Sequence, residues 1–175
     1  MLVFYPVLYV ISIDLSWADG DEVSSYVEAT APFVDISDVG RQAEVWATCV
    51  VTYEILEKTF QSKPAQAKQL SDFGKGAQLA VMMVHMSEGI SSDLPQKEMT
   101  ALWSISKVIA KSTIDTRRNW MAVNAENIGE EDKQVFFDKV VQTGKICIEN
   151  LEDQQGYIDA WRDLAKSGLL VFPEN

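Results

Sequence analysis

Residues 38–60, DVGRQAEVWATCVVTYEILEKTF, decide the fold. Val39, Ala43, Trp46, Val50 and Tyr53 recur at steps of three and four, which places them on one face of an α-helix. Val45, Cys49, Leu56 and Phe60 widen that face. An apolar surface this broad requires burial on more than one side, so the helix belongs near the centre of a bundle. Ser37 or Asp38 supplies a side-chain oxygen to cap its first unpaired N–H groups.

Toward the C-terminus the same period continues. Pro64 suits the first turn of a second helix, which runs to about Met86 with Leu70, Phe73, Ala77, Ala80, Val81 and Val84 inward. Gly74 and Gly76 interrupt it, and each costs about 1 kcal/mol relative to Ala unless close packing offsets the loss. A third helix is expected from about Leu94 to Glu126, with Met99, Leu102, Ile105, Ile109, Trp120 and Val123 as its apolar face. Ser112-Thr113-Ile114-Asp115-Thr116 is rich in β-branched and cap-forming residues, and predicts a kink there. Gly129 is placed to close that helix in the left-handed conformation. Glu130-Glu131-Asp132 opens a fourth helix, where the helix dipole favours carboxylates. Its apolar positions are Val135, Phe136, Val140, Cys147, Ile148 and Leu151. A fifth segment, Gln154 to Ser167, carries Tyr157, Ile158, Trp161 and Leu164 on one side and stops at Gly168. The tail Leu169 to Pro173 is apolar and is expected to dock back on the bundle. The class is all-α: an antiparallel bundle of four to five helices over residues 38–175.

Toward the N-terminus the pattern changes. Residues 19–37 form an irregular acidic lead-in, with Asp19, Asp21, Glu22, Glu28 and Asp35 and no basic residue. A short helix fits Glu22 to Ala29, and the rest is expected on the surface. Ahead of it, Leu2 to Ile13 is an apolar run that leads to Ser16-Trp17-Ala18, a small-x-small sequence before Asp19. Residues 1–18 therefore have the outline of a cleavable signal peptide. Two features depart from the pattern: no Lys or Arg precedes Arg41, and Asp14 stands at the end of the apolar run. The run falls short of the roughly 20 apolar residues that span a bilayer, so no stable membrane anchor is expected. The alternative is a buried N-terminal segment of a cytoplasmic protein.

The compartment decides how the two cysteines are read. Cys49 and Cys147 lie 98 residues apart, each on the apolar side of its helix. In a periplasmic or secreted chain they are expected to form one disulfide; in the cytoplasm they would stay reduced. Gly144, one turn before Cys147, permits the close helix approach that such a bond needs. No C-x-x-C spacing exists, so a thioredoxin-like redox site is not supported.

With 26 acidic and 15 basic residues the net charge is −11, which repels nucleic-acid phosphate and anionic lipid at long range. Arg117-Arg118 is the only basic pair. His85 is the only histidine; with Glu88 it offers two metal ligands one turn apart, too few for a zinc or di-iron site. No G-x-S-x-G turn accompanies it for a hydrolytic triad. Glu44 and Glu54 lie ten residues apart on one helix and cannot meet. Phe73-Gly74-Lys75-Gly76 has no preceding strand to make it a phosphate loop. Met82, Met83 and Met86 read as core filler. No cofactor, metal or catalytic residue is expected. What remains is a non-catalytic module that binds a protein partner or itself, to be recognised by a contiguous exposed apolar patch. The alternative is a small apolar ligand held between the first, third and fourth helices by Trp46, Trp103 and Trp120.

Overall fold

A computed structural model describes residues 32–91 and 94–170. The proposed signal peptide, the expected helix at 22–29 and the end of the tail lie outside these residues. The fold is an all-α bundle of five helices: α1 Val39–Thr59, α2 Pro64–Ser87, α3 Gln96–Asn127, α4 Lys133–Glu149 and α5 Leu151–Lys166. Two single 3-10 turns, Phe33–Asp35 and Glu130–Asp132, precede α1 and α4.

The centre is α1, as its wide apolar surface predicts. Twelve of its 21 residues are buried, and from Val45 to Tyr53 the burial is continuous, so neighbours surround it. Asp38 is the cap, its Oδ1 accepting from the Arg41 N–H at 2.7 Å. A four-residue loop folds α2 back along α1, and α3 packs against both. α4 lies on α1, while α5 crosses over to α2. Only Asn150 separates these last two helices.

The core has two parts. The larger joins Trp46, Val50 and Tyr53 of α1 to Ala77, Val81 and Val84 of α2, Ala110, Ile114 and Met121 of α3, and Cys147 of α4. The smaller joins Met83 and Met86 of α2 to Met99 and Trp103 of α3 and to Leu170, with Trp161 and Leu164 of α5 against it. Buried Leu170 shows that the tail docks on the bundle at least that far. Met83, Met86 and Met99 pack between α2, α3 and the tail, an irregular junction that flexible side chains fill well.

Several local expectations are corrected. α3 runs unbroken through residues 112–116. Tertiary and local bonds override propensity there: Ile114 is buried, Thr113 Oγ1 donates back to the Ile109 carbonyl at 3.0 Å, and Asp115 pairs with Lys111 and Arg118. Gly129 has φ −63° and is not left-handed, because α3 ends by turning extended at Ile128. Gly168, with φ +76°, is the left-handed residue and stops α5. The carboxylates at 130–132 make a 3-10 turn ahead of α4, and α5 begins at Leu151 rather than Gln154. The lead-in also joins the core at its end: Phe33 is fully buried, its ring edge-on to Trp46 at 4.9 Å.

The most consequential correction concerns α3. Its inner face is Met99, Trp103, Ser106, Ala110, Ile114 and Met121. Ile105, Ile109 and Val123, expected inward, are exposed. The helix carries two stripes, and the one that meets α1 and α2 sets Ser106 and Ala110 between the larger Met99, Trp103, Ile114 and Met121. Ser106 and Ala110 let neighbouring backbones come close, where isoleucines would hold them apart.

Candidate functional site

Two close approaches set the helix positions. On α4, a Cβ added at Gly144 would lie 2.8 Å from Leu56 Cδ1, so α4 presses on α1 there because a side chain is missing. One turn on, Cys147 meets Cys49 at disulfide distance, Sγ–Sγ 1.99 Å and Cα–Cα 5.7 Å. On α2, a Cβ at Gly76 would fall on the Gln154 amide, so the glycine makes room for that α5 side chain. The glycine cost in these helices is thus offset by packing between elements.

Asn150 ties the α4–α5 junction to the start of the described chain. Its Oδ1 accepts from the buried Phe33 N–H at 2.9 Å, and its Nδ2 donates to the Ile146 carbonyl at 2.9 Å. Gln42 completes the clamp by donating to the Phe33 carbonyl at 2.6 Å. The bond from residue 33 to residue 150 spans 117 positions, and no local sequence signal announces it.

The basic pair has an internal role. Arg118 forks onto Glu54, with Nε and Nη2 donating at 2.9 and 2.8 Å, and its Nη1 donates to Asp115. Arg117 reaches Glu44 at 3.5 Å and lies over the Trp120 ring at 5.6 Å. The two carboxylates that cannot meet on α1 are each met by an adjacent arginine of α3, which fixes the register of one helix on the other.

His85 is half-buried on α2, with Nε2 3.4 Å from Thr113 Oγ1. Burial lowers its pKa below the usual 6.5, and Glu88 opposes that shift. Among the described residues, no group of three His, Cys, Asp or Glu side chains is arranged to hold a metal. No described helix is long and apolar enough to cross a membrane.

The three tryptophans are not brought to one place. Trp46 lies in the larger core between Phe33 and Tyr157, Trp120 packs partly buried against the same core, and Trp103 belongs to the smaller one.

The prominent surface feature is the outer face of α3. Ala101, Ile105, Val108, Ser112, Thr116 and Val123 are all exposed, and they repeat the spacing of the inner stripe shifted by two residues. A shift of two on a helix turns roughly 200°, so the second stripe lies opposite the first. Val108 is 70 % exposed, Ile105 56 %, Val123 55 % and Ile109 42 %. Single exposed aliphatics are ordinary, but Ala101, Ile105, Val108 and Ile109 cluster within about 12 Å of helix, and Val123 follows on the same side beyond the polar Ser112 and Thr116. The patch sits on a net cationic helix: α3 has Lys97, Lys107, Lys111, Arg117 and Arg118 against Glu98, Asp115 and Glu126.

Comparison with family models, curated proteins and solved structures finds no match for this chain.

Proposed function

We propose that this chain is a non-catalytic protein-binding module of an oxidising, extracytoplasmic compartment, and that it binds through the outer face of α3. The observation that carries the reading is the aligned exposure of Ile105, Val108, Ile109 and Val123 on a helix whose opposite stripe is already fully used. Leaving β-branched aliphatics in water while burying Ser106 and Ala110 costs solvation free energy, of order 1.5–3 kcal/mol for each side chain that a partner would cover completely. The cysteine pair at disulfide distance and the apolar run at residues 2–13 support the compartment. Residues 1–18 act as the export signal in this reading, and residues 38–175 as the binding domain.

The test is photo-crosslinking in cells, with p-benzoylphenylalanine placed at Val108 and, as a control, at exposed Gln69 of α2. A discrete protein adduct from position 108 and none from position 69 is expected. No adduct at 108, or equal adducts at both positions, overturns the assignment of the face.

A further inference from the structure

We infer that the occupant of the α3 face is a second copy of this chain, packed antiparallel about a two-fold axis beside Ser112. The inference rests on the binding role proposed for that face and names its partner. The grounds are the order of charges beside the stripe. On one edge the N-terminal half of α3 carries Lys97, Lys107 and Lys111, and the C-terminal half carries Asp115, Arg118 and Glu126, with the Arg118 charge met by its fork onto Glu54 of the same chain. A two-fold axis reverses one helix against the other and keeps like edges together, so each lysine-bearing half meets the half that holds Asp115 and Glu126. Lys111 then faces Asp115 of the other copy, Lys97 faces its Glu126, and Lys107 faces its Arg118, whose charge Glu54 already offsets, each pair occurring twice. The two attractive pairings put the axis beside Ser112. The middle of the stripe is Ser112 and Thr116, both exposed and small enough for two helix backbones to come close. The aliphatics lie to either side, Ile105 and Val108 before the axis and Val123 beyond it, so that the bulky half of one helix covers the slimmer half of the other. A parallel arrangement would set lysine against lysine along the same edge. The Lys111 and Asp115 side chains are 78 % and 39 % exposed, so both remain accessible although they pair within their own helix at 2.5 Å. The net charge of −11 repels two copies at a distance, but at about 0.15 M salt the screening length is about 8 Å, and the local pairing dominates at contact.

The experiment is sedimentation velocity of the full chain over a concentration series at that salt, with Lys111→Glu, Asp115→Lys and an equimolar mixture of the two. The unaltered protein is expected to dimerise reversibly. Each single variant turns two attractive pairs into two repulsive ones and should weaken the dimer about tenfold. The mixture restores attraction at both pairs, while each chain keeps its own disrupted internal pair, so its dimer should return to nearly the unaltered affinity. Circular dichroism of each variant confirms the fold. A chain that stays monomeric at all concentrations, or a mixture no tighter than its components, overturns the inference. The two claims fail separately: a crosslink from position 108 to a different protein, with no dimer, leaves the face a binding site and removes self-association. A crosslink from position 108 into the same chain's own N-terminal residues removes both.

Discussion

Asn150 does three things with one side chain: it ends α4, starts the turn into α5 and satisfies the buried Phe33 N–H. Truncating it leaves that donor without a partner, which costs about 1–3 kcal/mol. Asn150→Ala should therefore lower the free energy of unfolding by that amount in urea titrations, with an unchanged slope. His85 sets a pH dependence. Its folded pKa lies below the usual 6.5, so the unfolded chain binds the proton more readily. The contribution is full above that value and is lost as pH falls through the interval down to the folded pKa. His85→Gln should flatten the stability profile across that interval. At this scale the sequence is read unevenly. Cys49, Cys147 and Gly144 are distinctive residue types in periodic positions, and their juxtaposition is expected from helix faces once an oxidising compartment is assumed. Asn150 is a common polar residue whose partner is 117 positions away, so nothing local marks it.

Helices are where periodicity is most informative and where it misleads once. The extents of α1 and α2 follow from their apolar spacing, from Asp38 and from Pro64. α3 defeats the same reasoning because a pattern of bulky aliphatics identifies an apolar face without saying which neighbour covers it. Its bundle-facing stripe places Ser106 and Ala110 between Met99, Trp103, Ile114 and Met121, and the polar Ser106 and small Ala110 interrupt its apolar signal. The expected kink fails for a related reason: β-branched propensity is weak beside the burial of Ile114 and the pairs at Asp115. Glycines report this packing in a measurable way. Gly156 of α5 has open space around it, so Gly156→Ala should raise stability by about 0.5–1 kcal/mol through helix propensity. Gly144→Ala gains the same propensity but drives a methyl into Leu56, and the net effect should be a loss of about 1–2 kcal/mol. Thermal unfolding of the two variants side by side gives opposite signs if α4 is held against α1 as described.

At the scale of the molecule, α1 is an enclosed central helix and α4 is the element tied to it at Cys49 and Cys147. Closing a 98-residue loop removes denatured-state entropy worth about 4–5 kcal/mol. That is a large share of the 5–15 kcal/mol typical of a domain. Cys49→Ala with Cys147→Ala should lower the urea midpoint accordingly, and reductant should do the same to the unaltered chain. The all-α class and the central place of α1 are legible in the sequence, because both depend on hydrophobic periodicity. The proposed binding face is not, because exposure depends on which elements α3 packs against.

The α1–α4 link carries the account furthest, since the proposed compartment rests on it. It is tested most directly by intact mass of the natively expressed chain, denatured and alkylated before and after reduction. The account predicts a chain that begins at Asp19 and takes up no alkyl group until reductant is added, then two. A full-length chain with two thiols that alkylate freely without reductant would contradict it, and would place the protein in a reducing compartment.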